Sequence, residues 1–267
     1  MTTNVAPQPS TRTGLIKVHE RFRSRFLGRP RTVLVYLPPG YQARGAERYP
    51  VLYLHDGQNV FDKATSVGEE WGVDETAQRL IEAGEIEPLI IVAAYNTGDH
   101  RVDEYAPTKV EGKGGGAADD YGRMLVEELK PFIDRRYKTL PSAASTGVGG
   151  SSLGGLLTLY LGLKYPTAFN RLAALSPSVW WDERMIVRAY HELPSKLPLR
   201  IWLDAGTGEG EEVLNDVRAL RDALVSKGWV PDHDLHYAEA EGGQHNEQSW
   251  AGRVEPMLKF LFPRKKT

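Results

Sequence analysis

The chain has 267 residues, 41% of them hydrophobic, and 33 Lys and Arg against 35 Asp and Glu leave a formal charge of -2. That is enough apolar material for one large core, and a near-balanced charge without a basic run argues against nucleic acid as a partner. With 0 Cys, disulfides, thiolate catalysis and thiolate-held metal are excluded. Residues 1–14 read as a flexible polar tail without the apolar core of an export signal, and no later run approaches the ~18 apolar residues of a membrane span. A soluble, cytoplasmic protein acting on a small molecule is the expectation, with residues 15–265 as one domain and oligomeric state left open.

Apolar alternation over 15–26 and 32–37, separated by Gly28-Arg29-Pro30, predicts an antiparallel hairpin. From Tyr49 onward the pattern becomes short continuous apolar runs, 51–54 and 89–93, of the kind found in strands covered on both faces. Helical spacing follows over 74–83 and, at greater length, over 118–137, with Gly112 to Ala118 between them as a mobile glycine-rich loop. Strands are then expected near 144–150, 171–175, 199–203 and 234–240, and helices over 154–165, 211–227 and 246–261. Alternating strand and helix after an N-terminal hairpin predicts an α/β fold: a mostly parallel central sheet with helices on both faces, as in the α/β-hydrolases.

Gly150-Ser151-Ser152-Leu153-Gly154 fits G-x-S-x-G, and it stands between a predicted strand and a predicted helix, the context that this motif requires. Ser152 is the central serine, placed to project from a strained turn as a nucleophile; Ser151 is out of register. A phosphate-cradling loop is the rival reading, but no lysine follows in the Walker manner and the third glycine of a dinucleotide fingerprint is missing. The Leu153 amide, at the helix N-terminus, points toward where an oxyanion would form.

In this fold the triad runs Ser, acid, His along the chain, with the histidine in the loop after the last strand. His245, in Gly242-Gly243-Gln244-His245-Asn246, is the one of 7 histidines in that place. The acid belongs in the loop after 199–203, where Asp204, Glu209, Glu211 and Glu212 compete. Glu211 and Glu212 suit a helix N-terminus, Asp204 lies at the strand end, and Glu209 is far enough along to bend back, so Glu209 is favoured and Asp204 is next. The second oxyanion amide is expected from Gly57 or Gln58 in His55-Asp56-Gly57-Gln58-Asn59. His55, Asp56 and Asp62 do not form a ligand spacing, so no metal is expected. Trp180 and Trp181 are candidate pocket walls, and Arg101 is a candidate for binding an acidic or hydroxylated substrate, with an ion pair to Glu104 as its structural alternative.

These pieces together resemble one family. The carriers are Val33-Leu34-Val35-Tyr36-Leu37-Pro38-Pro39-Gly40-Tyr41, Val51-Leu52-Tyr53-Leu54-His55-Asp56-Gly57-Gln58-Asn59-Val60-Phe61-Asp62, Gly150-Ser151-Ser152-Leu153-Gly154-Gly155, Ser176-Pro177-Ser178-Val179-Trp180-Trp181 and Gly243-Gln244-His245-Asn246-Glu247. The chain is similar to the esterase family that includes enterochelin (siderophore trilactone) esterases, esterase D and feruloyl-type esterases, over nearly everything after the tail. The resemblance implies an α/β-hydrolase fold, carboxylic ester hydrolysis without a cofactor, and triad positions at Ser152 and His245; Gly206-Thr207-Gly208-Glu209 looks like the family's acid loop. An acyltransferase with the same triad, separable by product analysis with an added acceptor, and a non-catalytic binding module on the same fold remain alternatives.

Overall fold

The computed structural model describes residues 9–264. β1 (Leu15–Phe22) and β2 (Arg31–Leu37) form the antiparallel hairpin, with Leu15 opposite Leu37 and His19 opposite Val33. β1 stops at Phe22 rather than 26: Arg21 takes a left-handed φ of 56°, and the Ser24 hydroxyl accepts the amides of Phe26 and Leu27 in a turn. Residues 1–8 of the expected tail lie outside the described residues. Its remainder is tied down, since Ser10 Oγ donates to Asp62 and the Thr13 amide to Asp74.

Next come β3 (Val51–Leu54), α1 (Val73–Glu82), β4 (Ile90–Ala94) and the short α2 (Arg101–Tyr105). Residues 112–118, expected as a mobile loop, contain half of a small hairpin, β5 (Lys109–Val110) with β6 (Gly114–Gly115), because the Gly115 amide donates to Asp103 and its bare Cα lies against Trp181. The long helix expected over 118–137 is divided into α3 (Ala118–Arg123), a π-helical stretch Met124–Leu129 and α4 (Lys130–Arg136). Pro131 accounts for the break: it has no N–H to donate to the carbonyl four residues back.

β7 (Thr146–Ser151), α5 (Leu153–Lys164), β8 (Arg171–Leu175), α6 (Trp181–His191), β9 (Arg200–Gly206), α7 (Glu211–Ser226), β10 (Leu235–Ala240) and α8 (Glu247–Leu261) complete the chain. α6 was not foreseen. Its entry hides the helical pattern, because Asp182, Glu183 and Arg184 all have positive φ before the regular turns begin.

Eight strands form one sheet in the order β1-β2-β4-β3-β7-β8-β9-β10. β1/β2 and β2/β4 are antiparallel and the other pairs are parallel. Alternation within β2 shows how the sheet divides the core: Val33, Val35 and Leu37 belong to a cluster with α3 to α7, whereas Leu34 and Tyr36 belong to one with α1 and α8. Helices therefore cover both faces. The carboxyl ends of β3, β7, β8, β9 and β10 open onto one edge, the expected place for a site in a parallel sheet. Among the described residues no helix is long and apolar enough to cross a membrane.

Candidate active site

At the end of β7 the chain turns directly into α5. Ser152 makes the turn with φ 57° and ψ -123°, a conformation that costs energy for any residue with a Cβ. The neighbouring sheet holds it there: the Ser152 amide donates to Leu175 O (3.0 Å), and its carbonyl accepts the Ser178 amide (3.0 Å). Gly150 has room for no side chain, since a Cβ would lie 3.0 Å from His55 and 3.1 Å from the Gly154 carbonyl carbon.

Ser152 Oγ lies 2.9 Å from His245 Nε2, and His245 Nδ1 lies 2.6 Å from Glu209 Oε2. An ionised carboxylate only accepts, so Nδ1–H donates to Glu209; Nε2 of the neutral ring is then the acceptor for the Ser152 hydroxyl. Burial pushes Glu209 up, but hydrogen bonds from His245, Ser176 and the Gly206 amide outweigh it and hold this carboxyl below its usual range. Its second oxygen, Oε1, accepts Ser176 Oγ (2.5 Å) and Gly206 N–H (2.7 Å).

Asp204, the other candidate acid, does not reach the histidine. β9 runs on to Gly206, which keeps Asp204 inside the sheet and wholly buried, accepting Arg253 Nη1 at 2.6 Å and Trp202 Nε1 at 2.6 Å. Arg253 Nη1 also donates to Ser176 Oγ (3.1 Å), as does Trp250 Nε1 (3.1 Å), and the Trp250 ring stands edge-on to His245 at 5.0 Å. Sequence reading missed Ser176, Trp250 and Arg253. A signal was present: Arg253 is a charge set into the apolar stripe of α8, which only a buried partner would accommodate.

The acid loop and the histidine loop meet backbone to backbone. A Cβ on Gly206 would lie 2.1 Å from Gly243 O, and one on Gly208 would lie 2.9 Å from it. The Gly208 amide donates to that same oxygen (2.9 Å), and the Gly242 amide donates to Thr207 Oγ1 (2.8 Å).

The Leu153 amide sits at the first position of α5, where no helical carbonyl can accept it. Across from it, Asp56 is left-handed (φ 53°), and Gly57–Asn59 form a single tight turn. Gly57 is buried against β4; a Cβ there would lie 2.6 Å from the Ala93 carbonyl carbon. Gln58, not Gly57, lines the cleft of about 290 Å³ beside Ser152 and His245, together with Asn96, Arg101 and Glu247.

Arg101 is held in place by Asp56, not by Glu104. Its Nε and Nη2 each lie 2.8 Å from an Asp56 oxygen, while Glu104 takes the buried Arg31 at 3.0 and 3.1 Å. Burial raises Asp56, but Arg101, Asn96 and His55 bring it below the usual carboxylate range. The tryptophans do not line this cleft. Trp181 is buried, its Nε1 donating to Thr108; Trp180 is 44% exposed, with Lys113 Nζ 4.6 Å over its ring. One indole packs into the core against Gly115, and the other lies at the surface beneath Lys113. A hollow of about 590 Å³ beside β1 is larger than the cleft, but its lining, from Val18 to Arg23 with Phe132 and Arg136, holds no hydroxyl nucleophile.

Sheet order, strand directions and the edge that carries these loops define an α/β-hydrolase. The chain belongs to the family described as "Putative esterase", which matches residues 24–261, and it is an ester hydrolase. It is 30% identical over 247 residues to an endo-1,4-beta-xylanase/feruloyl esterase of Xylanibacter ruminicola, covering 90% of this chain and 30% of that protein. It is also 30% identical over 178 residues to the ferri-bacillibactin esterase BesA of Bacillus subtilis, covering 59% of each. The crystal structure of the BES protein from Bacillus cereus matches with a TM-score of 0.76 at 22% identity, over 98% of this chain and 99% of that one.

Proposed function

We propose that Ser152, His245 and Glu209 form a catalytic triad that hydrolyses a small carboxylic ester through an acyl-enzyme. The reading rests on the hydrogen-bonded line from Ser152 Oγ through both nitrogens of His245 to Glu209. Ser152 Oγ attacks the ester carbonyl as its proton passes to Nε2, and Glu209 stabilises the imidazolium. The amides of Leu153 and of Gln58, which lines the cleft where Gly57 does not, receive the oxyanion. His245 then gives the proton to the departing alkoxide as the C–O bond breaks, and a water deprotonated by the same nitrogen releases the acid. Arg101, already neutralised by Asp56, offers its remaining N–H groups to a polar part of the substrate. Esters of the kinds named for the relatives, feruloyl and siderophore esters, are the first substrates to try.

The test is hydrolysis of short p-nitrophenyl esters and methyl ferulate by the wild type, Ser152→Ala and His245→Ala, with folding checked by circular dichroism. Loss of roughly four or more orders of magnitude in kcat is expected from either substitution. A folded Ser152→Ala protein at wild-type rates would remove this site from the reaction.

A further inference from the structure

Besides His245, the cleft beside Ser152 is lined by Asp56, Arg101 and Glu247, and one of these charges is not neutralised. Asp56 and Arg101 hold each other through two contacts of 2.8 Å. Glu247 opens α8 just after His245, and its Oε1 accepts Asn59 Nδ2 at 3.0 Å. Among the described residues no cation pairs with it: Arg101 is taken by Asp56, and His245 is turned to Glu209. The dipole of α8 favours an acid at this position, and the Asn59 bond ties the helix to the turn after β3. Neither accounts for a charge set half-buried into the wall of the cleft, where burial and Asp56 push the carboxyl above its usual range against the pull of Arg101 and His245. What would complete it is a hydrogen-bond donor on the molecule that enters the cleft.

We propose that Glu247 sets specificity on the alcohol side of the substrate: it accepts a hydroxyl group of the leaving alcohol and turns away alcohols that carry a carboxylate. The inference rests on the triad reading, which fixes the side. Nε2 of His245 must reach the departing oxygen, so the alcohol lies on the histidine's side of Ser152, where α8 begins. An ionised carboxylate only accepts, so the group that meets Glu247 must donate. A hydroxyl can donate to Glu247 and also accept from the N–H groups that Arg101 has left over, whereas an ammonium has no lone pair to offer them. A carboxylate on the alcohol would face Glu247 with no unpaired cation to offset it, because Arg101 is already neutralised.

The test holds the acyl group constant and changes the alcohol: glycerol monobutyrate, propyl butyrate, butyrylcholine and the butyrate ester of glycolate. kcat/KM is measured for each with the full-length wild type and with Glu247→Gln, which removes the charge but keeps an oxygen for Asn59. The wild type is expected to favour the glycerol ester over the propyl ester and to take the glycolate ester least well. In Glu247→Gln the glycerol-to-propyl ratio should fall about tenfold, as a charge-assisted bond gives way to a neutral one, and the glycolate-to-propyl ratio should rise. Ratios that are the same in both proteins overturn the inference, and so does a wild type that prefers butyrylcholine to the glycerol ester, which would make Glu247 a cation site. The triad reading fails by a different sign, a folded Ser152→Ala protein that still hydrolyses these esters. Should the wild type cleave none of the four, their affinities for wild type and Glu247→Gln, measured by calorimetry, decide by the same ratios.

Discussion

Glu209 and Asp204 are both acidic, both close to the same loop, and separated by environment more than by sequence. Glu209 has one oxygen on His245 and the other among donors; Asp204 is bonded to Trp202 of its own strand, to Arg253 of α8 and to the Ser176 amide, and not to His245. On the triad reading Glu209→Gln loses about 10²- to 10⁴-fold in kcat with little change in fold, because the imidazolium loses its counter-charge. Asp204→Asn acts differently: it leaves the Arg253 guanidinium, 6% exposed, with only the more distant Glu209 (3.7 Å) as a carboxylate, and costs about 1–3 kcal/mol of stability while the folded fraction keeps most of its kcat. Urea unfolding beside steady-state kinetics on both variants separates the two roles, and a reversed pattern would make Asp204 the acid. Several carboxylates lie within reach of the same loop, so sequence left two of them in contention. What separates them is how far β9 continues, and that depends on its pairing with β10 through Gly206.

Among elements, those legible beforehand were the ones whose neighbours are close in sequence or whose pattern is strict: the strand-Ser152-helix turn, the continuous apolar strands β3 and β4, and the histidine after β10. Those not legible depend on partners far along the chain or on backbone exceptions. Arg101 finds Asp56 across 45 positions, Pro131 divides a helix that its apolar spacing runs through, and three left-handed residues mask α6. On the proposed reading the site depends closely on the turn after β3, where Gly57 rests on β4 and Gln58 lines the cleft beside Ser152. Gly57→Ala is therefore expected to lift this turn off Ala93, costing ~1–3 kcal/mol in stability and lowering kcat more than it raises KM. A Gly57→Ala enzyme with wild-type kcat would show that the turn contributes nothing to the oxyanion.

At the scale of the whole molecule, one sheet separates two apolar clusters, and the polar groups sealed within it set its response to acid. His55 is wholly buried behind Ser152, its Nδ1 on Tyr121 and its Nε2 without a partner, with Asp56, Arg101 and Tyr105 around it. Burial, opposed by Asp56 and helped by Arg101, brings its pKa down to about 3 from 6.5. The unfolded chain therefore binds a proton that the folded one refuses: this stability is fully present well above pH 6.5 and drains away as pH falls through 6.5 toward 3, approaching ~1.4 kcal/mol per pH unit between the two values. Chemical denaturation at pH 7, 6 and 5.5 should show a loss that steepens toward that slope, about 0.7 kcal/mol over the first unit, in the wild type and a smaller loss in His55→Phe; equal losses would mean the histidine is not sealed. The same architecture divides labour between frame and lining. Because main chain rests on main chain where Gly206 and Gly208 meet Gly243, the spacing of His245 and Glu209 does not depend on which side chains face the cleft. Asn96 and Arg101 are tied to Asp56, and Glu247 to Asn59, so the lining open to exchange is the exposed kind, such as Val67 at the mouth of the cleft, where a change of substrate would leave the line proposed for proton transfer in place.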